Sequence, residues 1–222
     1  ITGHEDVLLW AYDNGLPPAI EDLSMAFVSA ALAGRANIVR FLLTRGATVD
    51  LQDGNGATAL SYASLNGHID VARLLLERGA SVDLQNNDGY SPLCWASHKG
   101  HLDVARLLLE RGASVDLRNN DGVTPMSASS LDGHLNVVRI LLEYGASVDM
   151  QTNQGATSLR VASQKGHIDV VRLLLERGAS VDLQNNKGFT PLHLSSHNGH
   201  VDVVRLLLER GASADLQNNK RS

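Results

Sequence analysis

The chain has 222 residues and sets 19 Lys and Arg against 24 Asp and Glu, a formal charge of −5 with histidine neutral. That balance excludes a polybasic nucleic-acid surface, which needs clustered excess cations, and a hydrophobic content of 43% excludes a disordered chain. A single cysteine, Cys94, excludes an internal disulfide framework and a multi-cysteine zinc site.

The chain repeats itself with a period of 33 residues. Gly-His pairs begin at 67, 100, 133, 166 and 199, and Gly-Ala pairs recur at 46, 79, 112, 145, 178 and 211. Arg73 to Asn87 returns unchanged as Arg172 to Asn186. A fixed period between about 20 and 50 residues indicates a solenoid, in which each unit packs on its neighbours. In chain order, a lead over 1–19 comes first, in which Asp6 to Gly15 reads as one helix. A divergent unit, 20–52, follows, with Leu23 in place of a turn glycine and Met25-Ala26-Phe27-Val28 opening its first helix. Five regular units occupy 53–85, 86–118, 119–151, 152–184 and 185–217, and a stub fills 218–222. The longest apolar stretch, Met25 to Gly34, is too short to span a bilayer and reads as a core helix.

Unit 185–217 shows the local logic. Asn185-Asn186-Lys187-Gly188 is turn chemistry. Thr190 can cap a helix at whose first position Pro191 loses no hydrogen bond, and Gly199 can end that helix in a left-handed conformation. Val201 to Arg210 forms a second helix, with Asp202 in its first turn within reach of Arg205. Val203, Leu206 and Leu207 make its apolar stripe, and Gly211 stops it. One such unit cannot bury its apolar face alone.

Thr190-Pro191-Leu192-His193, Gly199-His200 and Leu206-Leu207-Leu208-Glu209-Arg210-Gly211-Ala212, at this period, resemble the ankyrin repeat, and the likeness covers 20–217. The resemblance implies an all-α solenoid: an L-shaped stack of helix pairs with β-hairpin turns projecting from one edge, and a concave face built from hairpin tips and first helices. It makes residues 1–19 and the divergent first unit an N-terminal cap. At the other end the internal apolar pattern persists and Asn218-Asn219-Lys220 begins another turn, so the chain reads as a segment of a longer array.

No catalytic chemistry is legible. His68, His101, His134, His167 and His200 occupy one slot in successive units, too far apart to share a metal, and read as structural. His193 completes the Thr-Pro-Leu-His motif. Cys94 has His98 four residues on but no third residue to orient the pair. The glycine-rich turns match no phosphate-binding loop. The expectation is a protein with no cofactor, no metal and no enzymatic activity.

The informative positions are those the repeats leave free. The residue after the turn glycine reads Ala57, Tyr90, Val123, Ala156, Phe189. Four first-helix columns also vary: Ser61/Cys94/Ser127/Arg160/His193, Tyr62/Trp95/Ala128/Val161/Leu194, Leu65/His98/Leu131/Gln164/His197 and Asn66/Lys99/Asp132/Lys165/Asn198. Within a unit the last three stand at i, i+3 and i+4, one helical face. Tyr62, Tyr90 and Trp95 offer an aromatic anchor, while Arg160, Lys165 and Lys187 offer a site for a carboxylate or phosphate. The candidate partner-binding set is therefore Tyr62, Leu65, Asn66, Tyr90, Trp95, His98, Lys99, Val123, Leu131, Asp132, Arg160, Gln164, Lys165, Lys187, Phe189, His197 and Asn198. The sequence predicts a monomeric, intracellular (cytoplasmic or nuclear) module that binds another protein or peptide, with neither nucleic acid binding nor membrane insertion. The alternative is a structural spacer within a larger protein.

Overall fold

The computed structural model describes residues 20–218; the cap expected over 1–19 and the end of the stub lie outside the described residues. Its helices run in successive pairs. They are α1 (Ile20–Leu32) with α2 (Ala36–Thr44), α3 (Ala59–Asn66) with α4 (Ile69–Glu77), α5 (Pro92–Lys99) with α6 (Leu102–Glu110), α7 (Pro125–Leu131) with α8 (Leu135–Glu143), α9 (Ser158–Lys165) with α10 (Ile168–Glu176), and α11 (Pro191–His197) with α12 (Val201–Glu209). First helices form one layer and second helices another, and the first helices approach each other more closely. Small buried residues such as Ala63, Ala96 and Ala162 permit that approach, and the wider spacing of the second helices curves the stack toward the first-helix side.

The five first helices of the regular units start and stop on local chemistry. The Thr58 hydroxyl accepts the Ser61 N–H at 3.1 Å, and Ser91, Thr124, Thr157 and Thr190 cap their helices in the same way. Gly67 ends α3 with φ +73°, and the imidazole of His101 lies where a Cβ at Gly67 would fall, 2.6 Å from Nδ1. Glycine is thus required there both by the left-handed backbone and by the next unit's ring. The second helices start at His68, His101, His134, His167 and His200 without a side-chain cap. They are held by their apolar stripes, in α4 the buried Val71, Ala72, Leu74 and Leu75.

The expected hairpins are hydrogen-bonded turns, with no strand among the described residues. In the turn before α5, Asn86 N–H donates to Tyr90 C=O at 3.1 Å and Gly89 N–H to Asn86 C=O at 2.8 Å. On one side Ser91 caps α5, and on the other the chain turns again at 82–83, too soon for a ladder to extend. Successive turns are tied by single bonds, Asn87 N–H to Asn55 C=O at 2.9 Å and, three units on, Asn186 N–H to Gln154 C=O at 3.1 Å. Side-chain amides reinforce them: Asn120 Nδ2 donates to Asn87 C=O at 2.9 Å, and Asn153 Nδ2 to Asn120 C=O at 2.8 Å. At the base of four turns an aspartate accepts the backbone N–H and hydroxyl of a serine in the next unit, Asp83 with Ser114 and Asp116 with Ser147 among them.

The core runs the length of the stack, from Phe27 through Leu60, Leu75, Leu93, Leu108, Met126, Leu141, Leu159 and Leu174 to Leu207. At the last pair, the face that each earlier pair turns to its successor is uncovered among the described residues: Val201 is 65% and Leu208 47% exposed.

Candidate protein-binding surface

The variable columns separate by depth. The first, at the third position of each first helix, points inward: Ser61, Cys94 and Ser127 are buried, Arg160 and His193 half-buried. His193 earns its place locally, accepting the Thr190 N–H on Nδ1 at 3.1 Å while its own N–H donates to Thr190 Oγ1 at 3.2 Å. Tyr62, Trp95, Val161 and Leu194 are half-buried, and Ala128 is buried. Leu65, His98, Leu131 and Gln164 are half-buried, and His197 is exposed. Asn66, Lys99, Asp132, Lys165 and Asn198 are all exposed. In the turns Tyr90, Val123 and Phe189 are half-buried, Ala57 and Ala156 buried, and Lys187 exposed. Side chains thus grade from core to solvent across one face of the first helices.

Three aromatics gather at one end of this face. The rings of Tyr90 and Trp95 stack with centroids 4.4 Å apart and planes 21° apart, and the His98 ring stands 6.2 Å beyond Trp95. His98 Nδ1 meets Asp132 Oδ2 of the next unit at 2.8 Å. Tyr62 donates its hydroxyl to Asp53 Oδ2 at 2.6 Å. Burial raises the Asp53 pKa, but bonds from the Tyr62 hydroxyl and the Ala57 and Asn55 amides outweigh it and leave the carboxyl below its usual value. The same bond raises the Tyr62 pKa, because the hydroxyl must stay protonated to donate. Between Tyr62 and Trp95 lies a cleft of about 320 Å³, floored by Ala57, Ser61 and Leu65 and rimmed by Asn55, Asn86 and Asp88. A larger apolar groove of about 730 Å³ adjoins it, lined by Met25, Val28, Leu32, Leu51 and Tyr62.

The remaining chemistry is structural. The rings of His68, His101, His134, His167 and His200 each place Nε2 3.0–3.1 Å from a carbonyl of the preceding unit, so Nε2 carries the proton and donates. No group of three or more His, Cys, Asp or Glu among the described residues is placed to hold a metal. Burial pushes the Cys94 thiol up to about 12, which keeps it protonated and inert near neutrality. Asp202 and Arg205 stand 3.7 Å apart on the surface, a pair of little energetic consequence. No helix among the described residues is long and apolar enough to cross a membrane.

Arg160 differs from its column. Its Nη1 lies 3.4 Å from Gln164 Oε1, its Nε is sealed from solvent without an acceptor, and burial lowers its pKa. The turn column Asn55, Asp88, Asp121, Gln154, Lys187 also belongs to the face, since Asn55 and Asp88 rim the aromatic cleft. The candidate set holds only Lys187 from that column, although its variation is as plain as that of the residues flanking it. Apart from Tyr62, the apolar groove left no such signal, because the rest of its apolar lining lies in the divergent first unit.

The family model "Ankyrin repeats (3 copies)" matches residues 27–119 and again 126–220. The crystal structure of the human ASB11 ankyrin repeat domain is similar, with a TM-score of 0.81, 32% sequence identity, and 88% of each chain covered. No curated protein matches at the level of sequence. Proteins of this fold are in general protein–protein interaction modules and typically not catalysts. With repeat models matching most of its length and its helix pairs stacked in the same arrangement, the chain belongs to the ankyrin repeat family.

Proposed function

We propose that the chain is a non-catalytic recognition module that grips another protein through its concave face. Units 20–52, 53–85, 86–118, 119–151, 152–184 and 185–217 supply the surface. The observation that carries this reading is the cleft between Tyr62 and the Tyr90–Trp95 stack. Aromatic side chains that are rigid, half-buried and beside an open cavity are the type that dominates binding energy at interfaces. An intracellular setting, cytoplasmic or nuclear, accords with a lone cysteine kept as a buried thiol.

The test compares affinity capture by the parent chain, Trp95→Ala, and Arg106→Ala on the exposed side of α6, after matching their thermal stabilities. A partner held by the parent and by Arg106→Ala, but bound at least about tenfold more weakly by Trp95→Ala, is the expected result. Equal retention by all three would overturn the reading and favour a spacer.

A further inference from the structure

The turn column of the concave groove changes sign along its length. Its turn column carries Asp88 and Asp121 in the middle units and Lys187 in the last, and its inward column places Arg160 one unit before Lys187. Several charged groups on this surface already have partners. Asp53 accepts from Tyr62, His98 meets Asp132, and Arg118 donates to Gln151 C=O and Asn153 Oδ1. Arg160 has no carboxylate within ion-pair distance among the described residues, and uses one long bond to Gln164. A half-buried guanidinium with an unsatisfied Nε and no counter-charge is costly to maintain. Burial already shifts its pKa downward, as expected for an uncompensated cation.

Arg160 also stands at a built position. The bonds that shape the aromatic cleft, Asn87 N–H to Asn55 C=O and Asn86 N–H to Tyr90 C=O, recur three units on as Asn186 N–H to Gln154 C=O and Asn185 N–H to Phe189 C=O. The residues that correspond there to the lining of the cleft include Gln154, Arg160, Gln164, Asn185 and Lys187. One end of the groove is therefore aromatic with an acidic rim, and the other is rich in donors and cationic.

We propose that the partner lies along this groove as an extended segment, with an Asp or Glu carboxylate seated between Arg160 and Lys187 and an apolar side chain in the cleft between Tyr62 and Trp95. This inference rests on the concave-face reading above. A planar guanidinium matches a carboxylate in a two-point, charge-assisted contact. A monoanion also suits a chain of net charge −5 better than a dianionic phosphate does. The polarity fixes the direction in which the partner runs, because reversing it would set the partner's acid against Asp88 and Asp121.

The test selects binders from a displayed library of random, unmodified peptides against the parent chain, Arg160→Gln, Lys187→Ser and Trp95→Ala. Peptides selected on the parent are expected to be enriched in Asp or Glu at a fixed offset from an apolar residue. They should bind Arg160→Gln about tenfold more weakly, the loss expected from one charge-assisted pair. They should also weaken on the exposed Lys187→Ser, a change that cannot act through the fold. Peptides that need Trp95 yet show no acidic enrichment, or bind Arg160→Gln and Lys187→Ser as tightly as the parent, would overturn this inference alone. Peptides indifferent to Trp95, or no binders at all, would overturn the concave-face reading together with it.

Discussion

Ser64, Ser97, Ser130 and Ser163 occupy one column of the first helices, and the hydroxyl of each is buried without a hydrogen-bond partner. A sealed, unsatisfied hydroxyl costs about 1 kcal/mol or more, and alanine is the better helix former. Ser97→Ala is therefore expected to raise the free energy of unfolding in urea by about 1 kcal/mol, and a loss of stability would show that the hydroxyl finds a partner. Cys94 gives the complementary case, a buried group whose folded pKa of about 12 lies above the 9.0 of a free thiol. Its neutral form contributes stability fully below pH 9.0, and that contribution drains away as pH rises toward about 12, because only the unfolded chain can release the proton. The stability difference between the parent and Cys94→Ala should thus shrink across that window. At pH 8 the native thiol should resist alkylation until the chain is unfolded.

At the scale of the element, each first helix depends on its two ends. Thr190→Ala removes a cap and breaks its reciprocal bond with His193, and should cost about 1–2 kcal/mol in urea unfolding. The glycines separate backbone strain from packing between units. Gly79 has φ +82° with nothing within 4 Å of a built Cβ, whereas a Cβ at Gly67 meets the His101 ring. Gly79→Ala should cost about 1 kcal/mol, the left-handed penalty alone. Gly67→Ala should cost visibly more, and His101→Ala in the same chain should recover part of the excess. If the two glycine substitutions prove equal, the rings do not lock the units together. Both helix ends were readable in the sequence, since Thr-Pro and Gly-His are local signals. The stacking of His101 over Gly67 was not, because it joins residues a full repeat apart through tertiary contact.

Taken whole, the molecule is a line of nearest-neighbour junctions, and its stability should behave accordingly. Deleting residues 119–151 brings Arg118 next to Thr152 in a register that every other junction already uses. The shortened chain is expected to fold cooperatively, with a lower urea midpoint and a smaller slope because less surface is exposed on unfolding. Failure to fold would show that the junctions are not interchangeable. Period and composition by themselves determined the solenoid, the succession of helix pairs, the aliphatic core and the columns left free of architectural duty, because such signals repeat locally and add coherently over the units. Only the tertiary structure decided which free columns are deep and which are wet. It buried Ser61 and Cys94, half-buried Trp95 and Arg160, and brought the Asn55 and Asp88 turns up to the aromatic cleft. Depth and pairing depend on how neighbouring units stack and curve, and a side chain's partners across that junction lie about thirty residues away, beyond any local pattern.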